Sequence, residues 1–294
     1  MDRFVFLTVD GLSHGAIFAA FALALVLIWR GTRIVNFAQG AMAVASAYIA
    51  YSVTSATGSY WIGGLAAIAS GFVIGILVDR VVMRYVSHRA PLSAIVVAVG
   101  LSLVIEALLG IFYGVNGRPL TVPFSQNLYI VGGIPLISPY DIFVIVTVLV
   151  VMGGIGLLFA RTPIGLRMRA AAFAPETARL LGVNVSRVLT FGWALAAAVG
   201  ALAGMLILPE SSVNGLTPSA MDLVFISAFT AAIIGGLDSP VGALVGGLSL
   251  GLVLSYASGY INSSITQIAV LALLAIVLLV RPGGLFSARQ GRRV

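Results

Sequence analysis

Cysteine and lysine are both absent from this chain of 294 residues. Without cysteine there is no disulfide framework, no thiolate metal site and no cysteine nucleophile. Without lysine there is no Walker A loop, which needs that side chain on the phosphates, and no Schiff-base chemistry. The chain is therefore expected to bind no cofactor of its own. Acid is scarce as well, nine residues against sixteen arginines. The two histidines, His14 and His88, are far apart, and neither is read as having a carboxylate at ligand spacing, so no metal site is expected. Neither an HExxH helix nor a GxSxG elbow is read, and no enzymatic activity is expected.

What remains is apolar. Charged residues make up 9% of the chain and apolar ones 60%, with a mean hydropathy of +1.13, which leaves too little polar surface to cover a water-soluble globule of this length. Charge-free runs at 11–29, 34–78, 142–160, 188–209 and 239–280 approach or exceed the roughly 20 residues that cross a ~30 Å hydrocarbon core. The net charge of +7 does not point to nucleic acid, because the arginines stand at the ends of apolar runs and form no basic face. Arg3 precedes the first run, but Arg30 and Arg33 follow it directly and no A-x-A site closes it, so it reads as a retained helix.

The fold expected is all-α: a single polytopic membrane domain over residues 1–294. About nine crossings (eight to ten) are placed near 11–29, 34–53, 61–78, 91–113, 141–160, 189–209, 219–236, 241–257 and 264–280. With the amino terminus outside, fourteen arginines fall on the cytoplasmic side, as does the carboxy terminus, and only Arg3 and Arg118 fall outside, a strong positive-inside asymmetry. The seventh run is short and ends in Gly235-Gly236, which suggests a broken or re-entrant element. The segment 114–140 holds prolines at 119, 123, 135 and 139, which forbid a regular helix. It is expected to cap the outer mouth, with Tyr60, Trp61, Tyr129 and Tyr140 as interface anchors. Glycine-rich clusters at 63–71, 194–204 and 242–251 let helix backbones approach closely.

Three places break the apolar pattern. Asn36, Phe37, Gln39 and Gly40 open the second run. Their amides either supply dipoles to a zwitterion crossing the bilayer, or Asn36 caps the helix with Gln39 as its capping-box partner. Glu106 lies inside the fourth run, and Asp222 and Asp238 bracket the seventh. An ionisable residue in a span is read as a pathway or gate, or else as the structural partner of an arginine or of helix termini. The third place is 161–188, where five arginines flank two short helical pieces, the first broken at Pro175 and the second running from Glu176 to about Leu181 and stopping at Gly182. A loop that only sets topology needs arginines alone. A capped, alanine-rich helix between them is what a membrane subunit offers to a soluble motor.

These residues resemble a known family. Gly165, Arg167, Arg169, Ala170, Ala178, Leu181 and Gly182 are similar to the cytoplasmic coupling loop of bacterial ABC importer permeases for branched-chain amino acids. "NFAQG" (36–40) is similar to that family's NFAHGE signature, "AFTAAIIGGLDSPVGALVGG" (228–247) to its AFxAAxLGGxGSxPGAxxGG stretch, and "RPGGLF" (281–286) to its RPxGLFG. Gln39 stands where histidine is common, Ala41 where glutamate is, and Asp238 where glycine is. The resemblance implies the shorter of two permeases in an inner-membrane importer. Its partners would be a second homologous permease, two cytoplasmic ATPases that use the ATP, an extracytoplasmic substrate-binding protein and membrane lipid. Coupling would run through Arg167, Arg169, Glu176, Ala178, Arg179, Leu181 and Gly182, and the substrate pathway past Asn36, Phe37, Gln39, Gly40, Glu106, Gly235, Gly236 and Asp238. The substrates would be branched-chain or other hydrophobic amino acids. The competing readings are an ion-coupled secondary transporter, for which Glu106 is the one acid well inside a span, and a passive channel for a small neutral solute.

Overall fold

A computed structural model describes residues 2–86, 91–131, 134–209, 215–281 and 283–286. His88, Arg89, Arg289, Arg292 and Arg293 lie outside the described residues. Helices occupy all nine expected runs: α1 (Asp2–Thr32), α2 (Gln39–Thr57), α3 (Tyr60–Leu77), α5 (Pro91–Tyr113), α6 (Pro139–Arg161), α9 (Val185–Ile207), α10 (Asp222–Gly235), α11 (Pro240–Tyr260) and α12 (Thr266–Val280). A π-helical turn (Val78–Met83) and α4 (Arg84–Val86) prolong α3, while α7 (Pro163–Phe173) and α8 (Pro175–Leu180) fill the expected coupling loop. Seven of these stretches are long and apolar enough to cross a membrane, so nine full crossings are not established. The two that fall short are α2 and α10, the latter 14 residues long and hence only about 21 Å at 1.5 Å per residue.

α1 begins nine residues earlier than expected because nothing in its first ten residues breaks a helix. Its side chains from Ile17 to Ile28 are buried nearly without interruption, as befits a helix apolar on every side. α1 meets α11 through glycines on both helices. A Cβ on Gly11 or Gly15 would come 2.9 Å from the backbone of Leu252 or Leu248, and Gly247 and Gly251 face back in the same way. This is the small-x-x-x-small contact by which membrane helices approach without hydrophobic drive. Gly71 and Gly75 of α3 meet the alanines of α9 similarly. α5 and α12, by contrast, turn large apolar side chains outward, among them Leu92, Val96, Phe112 and Leu279, as lipid-facing helices do.

The segment before α6 is non-helical, as its prolines require, and contains a short antiparallel strand pair, β1 (Tyr129–Val131) with β2 (Ile134–Ile137), within an all-α fold. One expectation there needs correction: Tyr140 is no interface anchor, for it is 1% exposed and its hydroxyl donates to the Leu206 carbonyl at 2.8 Å. Tyr60 and Trp61 do cluster with Phe124 and Phe143 at this end, where the Arg118 backbone pairs with that of Leu216. At the other end, Arg33 pairs with Asp238, Arg84 donates to Ser186, and Arg30 lies over the Phe159 ring. Arginine-rich helix ends thus share one face of the bundle.

Candidate functional site

After α1 the chain runs irregularly through residues 33–38 before α2 starts, so Asn36–Gly40 enter the bundle interior. Asn36 and Gln39 are both 0% exposed. The Asn36 amide donates to Gln39 Oε1 at 3.0 Å, its Oδ1 accepts from the Ala38 amide at 3.1 Å, and Gln39 Nε2 donates to the Ala196 carbonyl at 3.0 Å. Ala196 is the middle residue of α9 (Val185–Ile207), so this joint sits about halfway along that span. The capping-box reading fails: Ala38 is the N-cap, and the Gln39 side chain bonds the Asn36 side chain rather than the Asn36 backbone N–H. The pair is a buried polar joint holding the start of α2 against α9.

The surface beside that joint is aromatic and acidic. The Phe37 ring is 5.7 Å from Phe225 and 6.1 Å from Phe229, and the backbone of Gly40 faces Met221, the N-cap of α10. The starts of α2 and α10 therefore meet within the bundle. Asp222 opens α10 on the outside of this contact, and the charge of Glu106 on α5 lies within its electrostatic reach.

Gly235, Gly236 and Asp238 do not join this region. They lie at the carboxy-terminal end of α10, opposite its Met221 start, and there Asp238 pairs with Arg33. The carboxy-terminal residues close this end. Leu285 and Phe286 amides donate to the Ile234 and Gly235 carbonyls at 2.8 and 3.1 Å, which satisfies carbonyls that a helix end otherwise leaves open. Gly284, at φ +76, presses on Gly236 where a side chain would clash. The "GGLD" and "RPGGLF" stretches are thus two sides of one contact.

On the same arginine-rich face, Gly165 lets α7 fold back against the Leu158–Phe159 backbone. Ala178 is buried with Ala171 and Val185, so it fixes α8 to the bundle instead of facing a partner. Gly182, at φ +81, ends α8 with the Val183 amide donating to the Ala178 carbonyl at 2.9 Å, the left-handed stop expected of glycine. Arg167, Arg169, Glu176 and Arg179 are exposed, and Arg179 bonds Glu176 at 2.9 Å. Phe173, Leu180 and Leu181 are 93%, 89% and 79% exposed, although they are apolar and stand beyond the ends of the spans. Leu181 was legible from the resemblance. Phe173 and Leu180 were not, because composition alone cannot say which side of so short a helix is free.

Further residues were missed. Asp79 is a buried acid in the π-helical turn, bonded by Thr190 at 2.6 Å. Asp10 stands one helical turn before His14, 3.5 Å away, so that histidine does have a neighbouring carboxylate. Two Gly-x-Ser-x-Gly stretches exist, at 11–15 and 247–251. Both lie inside continuous helices, not on the strand-to-helix turn that a nucleophile elbow requires, and their glycines form the α1–α11 contact. Among the described residues no three His, Cys, Asp or Glu side chains gather into a metal-binding group.

A family model described as "Branched-chain amino acid transport system / permease component" matches residues 7–280. The chain is similar to LivH of Escherichia coli K12, named a high-affinity branched-chain amino acid transport system permease protein, at 27% identity over 97% of this chain and 96% of that one. It is similar to BraD of Pseudomonas aeruginosa, which carries the same description, at 26% identity over 97% and 96%. A probable LivH of Methanocaldococcus jannaschii matches at 26% identity over 83% and 78%. With the match running through nearly every span, the chain belongs to the branched-chain amino acid transport permease family.

Proposed function

We propose that the chain is a membrane-spanning permease subunit of an ATP-driven importer, moving branched-chain or other hydrophobic amino acids that a binding protein delivers to the face opposite the arginines. The observation that carries this reading is the exposure of Phe173, Leu180 and Leu181 on helices anchored by Gly165, Ala178 and Gly182. Large apolar side chains in water, held on a rigid base, suit a cleft on a soluble partner. The arginine asymmetry supports a cytoplasmic position for that face and for the carboxy terminus. The partners are two ATPases and a second homologous permease, and ATP is hydrolysed on the ATPases.

The substrate passes along the exposed side of Phe37, Phe225 and Phe229, between this chain and the second permease. Aromatic rings accept the apolar side chain, and Asp222 and Glu106 compensate the ammonium group as it loses water. Asn36 and Gln39, being wholly buried, hold the start of α2 against α9 without touching substrate. The test is purification from native membranes in mild detergent, with uptake of labelled leucine, isoleucine and valine measured in a deletion strain complemented by the chain. Co-purifying ATPases and restored uptake support the reading, whereas a chain that transports alone in liposomes without ATP refutes it. Phe37→Ala should change the ranking of the three substrates, and an unchanged ranking would move the pathway elsewhere.

A further inference from the structure

Asp79 is the second residue of the π-helical turn that joins α3 to α4 and is 7% exposed. π turns are rare and recur at functional positions, and an ionised side chain within a span is costly unless well paired. This one is poorly paired. The Thr190 hydroxyl lies 2.6 Å from Asp79 Oδ2 and 3.0 Å from the Ser186 carbonyl, and its single proton cannot serve both fully. Arg80 and Arg84 act on the carboxylate through space, and an Arg84 Nη2 donor goes to the Ser186 hydroxyl.

Asp79 borders a cavity of about 60 Å³ whose lining includes Thr32, Arg84, Arg179, Ser186 and Trp193. One wall is therefore contributed by α8, the helix read above as the coupling element. Arg179 is turned away to Glu176, in a pair whose side chains are 52% and 81% exposed and which is therefore weak. A guanidinium presented to Asp79 would supply two parallel N–H donors to a carboxylate that now has a shared one. The arrangement offers Arg179 two carboxylates, one outside and one inside, with room between them.

We propose that Asp79 is the receiver of the coupling movement: when the ATPases press α8 toward the bundle, Arg179 leaves Glu176 and pairs with Asp79 across this cavity. The exchange ties α8 to the π turn and, through Thr190, to α9, the helix that holds the Asn36–Gln39 joint. Asp79 acts as a positioning residue, with no contact to substrate. The inference rests on the coupling reading of α7 and α8.

This chain carries no native cysteine, so a cross-link between two cysteines introduced into it is read within this chain alone. In the assembled transporter, D79C and R179C are introduced together, and a short bifunctional thiol reagent is applied without nucleotide and then with ATP trapped on hydrolysis-deficient ATPases. Cross-linking at least tenfold greater in the trapped state is expected, and equal yield in both states, or none in either, overturns the proposal. Asp79→Asn keeps the shape and removes the charge; it should raise the ATP consumed per substrate imported several-fold, while Asp79→Glu restores the native ratio. A native ratio in inserted Asp79→Asn also overturns the proposal. Charged replacements of Leu180 and Leu181 separate the two readings. If they leave the ATPases bound and coupled, the coupling reading itself fails, whereas loss of coupling there with no state-dependent cross-link at Asp79 removes only the receiver.

Discussion

The joint at Asn36 and Gln39 and the surface of α7 and α8 invert the usual order of a membrane protein in opposite ways. The first hides two amides, 0% exposed, beside the middle of α9, and the second exposes Phe173, Leu180 and Leu181 beyond the spans. The difference lies in what each has left to offer. The amides bond each other and a carbonyl and are closed off from the surface, so they present no exposed group to a ligand. The apolar side chains have no cover among the described residues, so they retain their full capacity to bind. A polar residue in a span is thus not a site by virtue of its polarity, and an apolar residue outside one deserves the same scrutiny.

The comparison breaks most severely at its base. Gly165→Leu places a side chain into the Leu158 and Phe159 backbone, an overpacking expected to cost about 1–3 kcal/mol or more and to splay the α6–α7 corner. ATPase co-purification should be lost together with thermal stability. A stable variant that still assembles would show that the corner does not hold the coupling surface.

Leu180→Asp with Leu181→Asp sharpens the contrast, because it alters binding without touching the fold. Exposed substitutions usually shift stability by within about 0.5 kcal/mol, whereas losing anchors of an interface costs ~2 kcal/mol or more. Melting of the isolated chain should stay unchanged while ATPase stimulation falls by roughly tenfold or more. Equal loss of both would mean that these leucines support the fold.

Gln39→Leu is the mirror experiment. It leaves the Asn36 amide without its oxygen acceptor, and an unsatisfied buried polar group costs about 1–3 kcal/mol. The melting temperature should drop, and the ranking of transported amino acids should not move. A changed ranking at unchanged stability would put Gln39 in the pathway after all.

Much of this was legible in the sequence because it depends on neighbours along the chain. Apolar runs marked all nine helices, Pro175 marked the break between α7 and α8, and Gly182 marked the stop. The amide joint was not legible, since Gln39 meets Ala196 at a separation of 157 residues and local spacing suggested a cap instead. Asp79 escaped because it stands beside Arg80 near the end of a run and reads as a border residue; only the π turn and Thr190 make it internal. The "GGLD" and "RPGGLF" stretches were visible as motifs, but their contact through Gly236 and Gly284 needed the fold.

The smallest effect concerns Glu176→Gln, which removes the charge facing Arg179 and keeps the side chain's size. The pair is separated by three residues on a helix of six and is mostly exposed, so water and salt screen it and its contribution is about 0–1 kcal/mol. Stability should therefore change by less than the error of a melting curve. Transport is a finer instrument. If the acid only orients Arg179 while the ATPases are idle, releasing that arginine should leave coupling intact and slightly raise ATPase activity in the absence of substrate, a rise that high salt would erase by weakening the native pair as well. If Glu176 instead bonds the ATPase, Glu176→Gln should lower stimulation at every salt concentration, because a contact buried in the assembled interface is poorly screened. Measuring ATPase activity of native and Glu176→Gln complexes across a salt series decides between these, and a salt-independent loss would make this acid part of the docking surface alongside Leu180 and Leu181.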